Sequence, residues 1–191
     1  MNGAIRWRIV TLQVILVMVL GFCSGFLFYE SNFVQNMVKD ELVAQKISFP
    51  PASQIKLGGA LDPTVYPAEI RDLAGQPVDN GDKAKIYAND FIGHHLEGVA
   101  AGLTYSQASA LSQAQPTNAV VTAQVATLFK GEMLRATLLN SYGWWTVGVY
   151  AGYAAIGLLI AALAAFGALL FELFVAGRKP ETIKVAQKLA A

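Results

Sequence analysis

Two long apolar runs, one near each end of the chain, set the pattern into which the other segments fit. Residues 9–29 carry no charge and are rich in Val, Leu and Phe. No charged residue stands between Arg135 and Glu172 either, a stretch nearly twice the roughly 20 residues that a bilayer crossing needs. Both are read as membrane-spanning helices, the second continuing a helical pattern that covers 117–174. Tyr142, Trp144 and Trp145 sit where its polar part gives way to its apolar part. Aromatic side chains with one wet end collect at that depth, so these three are expected to anchor the interface. Beyond them Gly148, Gly152 and Ala155 keep the surface smooth, which predicts contact with another helix. Gly21-Phe22-Cys23-Ser24-Gly25 gives the first run the same small-residue spacing, so Gly21 and Gly25 join that set.

Between the runs the periodicity changes repeatedly. Phe33, Val34, Met37, Val38 and Leu42 recur at helical spacing, extending the first helix into water until Pro50 and Pro51 force it to end by Ser48. From there to Asp82 the glycines and prolines are dense and no run alternates, which reads as a loop with few strands. Asp82 is expected to cap a helix beginning at Lys83, with Ala88, Ile92, His95, Leu96, Val99 and Leu103 as its apolar stripe. Gly102 ends it. Thr104 and Gln107 have the spacing of a capping box for a short helix to about Ala114, and Thr117 or Asn118 then caps the long terminal helix. The fold expected is an all-α membrane protein, its two transmembrane helices extended into a small extracytoplasmic helical bundle with an irregular Pro/Gly-rich loop. Its divisions are a cytoplasmic N-terminus (1–8), transmembrane helices over 9–29 and 144–174, an extracytoplasmic domain (30–143) and a cytoplasmic basic tail (175–191).

Composition agrees with a membrane class: 54% of residues are hydrophobic, 14% are charged and the mean hydropathy is +0.44. The net charge of +1 conceals an asymmetry, because Arg6 and Arg8 flank one run and Arg178, Lys179, Lys184 and Lys188 follow the other. Basic residues near span ends stay in the cytoplasm, so both termini are expected there, across the plasma membrane. The region 30–135 holds 8 Lys or Arg against 11 Asp or Glu and offers no clustered basic face for nucleic acid. The single Cys23 allows no internal disulfide. The first run is too long for a secretory signal, whose apolar part is about 7–15 residues, and the bulky Phe22 before Cys23 disfavours a lipoprotein signal.

The titratable cluster most capable of chemistry is Asp90, His94 and Glu97, which share one helical face and could meet a metal ion or shuttle a proton. The competing reading, which is favoured, is a solvated polar face with His95 in the core stripe, because adjacent histidines point about 100° apart. No metal, cofactor or catalytic group is therefore assigned. Lys130, Glu132 and Arg135 are read as an ordinary solvated face, with a lipid headgroup or a partner's acid as the alternative. Glu172 is expected to reach the interface or to pair with Arg178.

Three stretches carry a resemblance: Tyr87-Ala88-Asn89-Asp90-Phe91-Ile92-Gly93-His94-His95-Leu96, Gly102-Leu103-Thr104-Tyr105-Ser106, and Phe129-Lys130-Gly131-Glu132-Met133-Leu134-Arg135 with the following Leu138-Leu139-Asn140-Ser141-Tyr142-Gly143. Over most of the chain after about residue 60 it resembles a family of small two-span actinobacterial membrane proteins. Some of these carry an aromatic ring-opening dioxygenase label. With two histidines in total, a 2-His-1-carboxylate iron site would have to use the adjacent pair His94 and His95, so the label does not transfer. What the resemblance implies is a plasma-membrane location and this architecture. The function expected is a non-catalytic accessory, stabilising or assembly subunit of a larger membrane complex, such as a respiratory or substrate-oxidising oxidoreductase. Its partners would be other integral membrane subunits and the bilayer, with self-association as a further arrangement. The alternatives are a metal-handling protein using Asp90, His94 and Glu97, and an extracytoplasmic ligand sensor that signals through a partner.

Overall fold

The computed structural model describes residues 3–175, and every described element is helical. Helix α1 covers Gly3–Ala44, α2 Ala68–Asp72, α3 Gly81–Ile86, α4 His94–Val99, α5 Tyr105–Ala114 and α6 Ala119–Phe174. A π-helical run, Tyr87–Gly93, joins α3 to α4, and a single 3-10 turn occupies Ala52–Gln54. Two helices, Ala4–Ala44 and Ala119–Phe174, are long and apolar enough to cross a membrane. The described residues divide into two compact units: one takes α1 up to Ser31 together with α6 from Tyr150, and the other is Asn32–Val149. The basic tail after residue 175, including Arg178, lies outside the described residues.

In the first unit the two long helices pair antiparallel. The covered positions include Arg6, Val10, Gln13, Val17, Leu20, Ser24, Leu27 and Ser31 on α1, and Gly152, Ala155, Leu158, Ala162, Ala165, Leu169 and Glu172 on α6. Their steps of three and four residues are the heptad rhythm of knobs-into-holes packing. Small side chains bring the backbones together. A Cβ on Gly152 would stand 2.9 Å from Ser31 Oγ, and Ser24 Oγ donates to the Ala155 carbonyl at 2.8 Å. Gly21 and Gly25 lie to one side of this seam, because Ser24 between them occupies it. Both are exposed, and a Cβ on either would meet nothing within 4 Å.

Polar groups lie in the same seam. Arg6 Nη2 donates to the carbonyls of Glu172 at 3.0 Å and Leu173 at 3.3 Å, in the last turn of α6. Its Nε lies 3.4 Å from Glu172 Oε1, a charge contact without hydrogen-bond geometry. Glu172 therefore has a partner from the other helix, a pairing that sequence separation concealed. Gln13 Oε1 is buried without a hydrogen-bond partner among the described residues.

The second unit is built around Val38 and Leu42 of α1, Leu128 and Leu138 of α6, and the helices between. Phe49, Leu61, Ile70 and Val78 are at most 2% exposed, so the loop region is pinned into the core by widely spaced apolar side chains. Its ends are tied by Phe49 N donating to the Gln76 carbonyl and Val78 N to the Ile47 carbonyl, both at 2.9 Å. Asn80 caps α3 by accepting from Lys83 N at 2.9 Å, so the helix begins at Gly81 and Asp82 belongs to its first turn. The capping box of Thr104 and Gln107 forms as expected, and Asn118 Oδ1 accepts from Val120 N and Val121 N to open α6.

At the loop's outer edge Asp62 accepts from Thr64 N at 2.9 Å, Thr64 Oγ1 at 2.7 Å and Gly58 N at 2.6 Å. These bonds, that from Gly58 foremost, favour the ionised form and hold its carboxyl below the ordinary range. A depressed carboxyl stabilises the fold above its unfolded pKa and loses that contribution as pH falls through the folded one. Hydrogen-exchange protection at Gly58 and Thr64 is therefore expected to be complete at neutral pH and to disappear below the ordinary carboxylate range. In Asp62→Asn it should be weaker and independent of acid pH; an unchanged acid transition in that variant would refute the assignment.

Candidate functional site

The chain from α3 to α4 crosses α6 and presents a different flank on each side. In this segment Ala84, Ala88, Ile92, Leu96 and Ala100 are all buried, in steps of four. On a regular α-helix the first and last of these would lie about 160° apart. The π-helical run takes up the difference, since its i→i+5 turns each hold an extra residue. That is why His95, expected in the stripe, is exposed instead. Gly131 of α6 makes the crossing close, since a Cβ there would overlap the Leu96 side chain.

On one flank Arg135 of α6 grips the π-helical run. Its Nε donates to the Ala88 carbonyl at 3.1 Å, Nη2 to Asn89 Oδ1 at 3.3 Å, and Nη1 to both oxygens of Glu132 at 3.0 and 3.1 Å. Charge-assisted bonds of this kind contribute about 1.5–3 kcal/mol each where they are shielded, and less at the exposed Glu132 end. Beside them is a hollow of about 270 Å³ whose polar lining comes from Asn89, Glu97, Thr104, Glu132 and Arg135. With its donors directed to these partners, the guanidinium acts chiefly as a clasp.

Asp90, His94 and Glu97 are only partly brought together. His94 Nδ1 lies 3.5 Å from Glu97 Oε2, and its ring stands edge-on to Tyr66 at 5.7 Å. Among the described residues no three His, Cys, Asp or Glu side chains converge as a set able to hold a metal ion. Tyr66 and Tyr87 belong to an aromatic cluster with Phe49 and Phe91, and burial raises both phenol pKa values.

The three aromatic residues expected at an interface differ in setting. Trp144 is 51% exposed. Trp145 packs over Gly81 and its Nε1 donates to Asp82 Oδ2 at 3.3 Å, while Lys85 Nζ stands 4.9 Å from the centre of the Tyr142 ring. Gly148 is covered. Sequence reasoning passed over Gly81, Gly131 and the clasp made by Arg135. Gly131 had a signal, since glycine inside a helical pattern costs stability unless close packing requires it; Gly81 preceded the expected helix start at Lys83 and had none. Comparison with known proteins gives no match: no protein-family model, no curated protein and no solved structure is similar to this chain.

Proposed function

We propose that this protein is a non-catalytic accessory or assembly subunit of a larger plasma-membrane complex, with a respiratory or substrate-oxidising oxidoreductase as the host. In this reading Asn32–Val149 is the extracytoplasmic part and both termini are cytoplasmic. The observation that carries the proposal is the unused small-residue face of the first span. Gly152 and Ala155 are consumed by the internal helix pair, whereas Gly21 and Gly25 open outward beside Phe22, itself 74% exposed. Glycines flanked by large side chains let a third helix approach closely, and small residues are what membrane helices use for contact.

The test is affinity purification in mild detergent from the native membrane, followed by mass spectrometry. The wild-type chain is expected to bring down larger integral subunits in fixed ratio. The double variant Gly21→Leu/Gly25→Leu should insert normally and lose them. Wild-type protein recovered alone would overturn the accessory role. Undiminished recovery by the double variant would overturn this docking face.

A further inference from the structure

Opposite the Arg135 clasp, the same crossing of helices leaves an apolar groove of about 270 Å³ between the π-helical run and α6, with Ile92, Leu96 and Leu134 among its lining residues. Thr127 in its wall also lines a more open hollow of about 430 Å³ with Val99, Val120 and Ala123, so apolar surface continues toward the start of α6. The polar side chains at the first hollow are Thr127, His95 and Lys130, and no carboxylate lines either hollow. Lys130 and His95 make no ion pair or hydrogen bond among the described residues. The other flank has the reverse character, with Glu97 and Glu132 in its lining.

An apolar trough with an unpaired ammonium and an imidazole in the lining of its first hollow, and no acid along it, complements an apolar chain ending in an anion. We propose that this groove binds a single-chain anionic amphiphile of the fatty-acid class, its carboxylate at Lys130 and His95 and its chain along Thr127 and Ala123 toward Val120. From Lys130 to Val120 the groove follows about 15 Å of helix, long enough for an extended medium-length acyl chain. One trough between two helices takes one chain, which selects a fatty acid over a two-chain phospholipid. The inference is independent of the accessory role, since it concerns a flank far along the sequence from the first span.

The full chain in zwitterionic nanodiscs, titrated with a dansyl-labelled undecanoic acid, tests it. Saturable binding above that of empty nanodiscs is expected, displaced by laurate but poorly by methyl laurate. Lys130→Glu should weaken binding about tenfold or more, the effect of losing a charged hydrogen bond and adding repulsion. Thr127→Trp, which fills the trough without changing charge, should abolish it; circular dichroism checks that both variants fold. Equal displacement by the methyl ester, or wild-type affinity in both folded variants, overturns the proposal. So does displacement by a two-chain anionic phospholipid as effective as that by laurate.

Discussion

Gly81→Ala, the addition of a single methyl group, is expected to destabilise the second unit severely. The new Cβ would fall inside the contact shell of Trp145 Cβ and Cγ; the Cβ is bonded directly to the backbone of α6, so no rotation of the side chain moves it aside. The remaining adjustment is to part α3 from α6, which strains the Asn80 cap and the bond from Trp145 to Asp82. Overpacking of this kind costs about 1–3 kcal/mol and can exceed that where neither side yields, against a total stability of about 5–15 kcal/mol for a typical protein. Gly98→Ala supplies the contrast. It lies in α4, is exposed, and its added methyl meets nothing within 4 Å, so it should be neutral or stabilising by about 0.5–1 kcal/mol. Amide exchange of the second unit, measured in detergent, distinguishes them. Equal protection in the two variants would show that Trp145 is not packed against Gly81.

Arg6→Glu should release the described ends of the two long helices from each other. The variant places a carboxylate beside Glu172, whose side chain is 15% exposed, and removes the donor to the last carbonyls of α6. Breaking a buried pair by removing one partner costs about 3–5 kcal/mol; the 33% exposure of Arg6 puts the expected effect at the lower end of that range. Limited proteolysis should then cut near the end of α6. The exchange Arg6→Glu/Glu172→Arg separates the two contributions, because it restores the opposite charges without restoring a donor at residue 6. Partial recovery is the expected result. Full recovery would mean that the carbonyl contacts of Arg6 contribute nothing, and no recovery would mean that the ion pair does not.

These residues also mark how far the sequence could be read. The caps at Thr104 and Asn118 were legible because a cap is local: the side chain and the amides it accepts from lie within three residues. The long helices were legible because their period persists. Asn80 was missed in favour of Asp82 because both residue types cap well, and the cap at Asn80 puts Gly81, which packs against Trp145, in the first turn. His95 was misplaced because a fixed 100° step was carried across a run that turns more slowly. The pairing of Arg6 with Glu172 joins residues 166 apart, and no local rule reaches that far. In the candidate site, Asp90, His94 and Glu97 drew attention by residue type, whereas Arg135 carries the polar geometry through a backbone carbonyl, which no side-chain motif records.

The π-helical run has a consequence for insertions and deletions. From Tyr87 to Gly93 the chain spends an extra residue on each turn, and all downstream placement depends on that surplus. As a regular α-helix of the present length, the segment would carry Leu96 about 120° away from the face of Ala84. Loss of one codon in the run would let it tighten to α geometry with Leu96 only about 20° off that face, so the crossing survives a one-residue deletion. Gain of one codon has no such outlet and would turn α4 by about 100°, reassigning the flanks of the crossing together. The run is thus the place where this segment can lose a residue but not gain one.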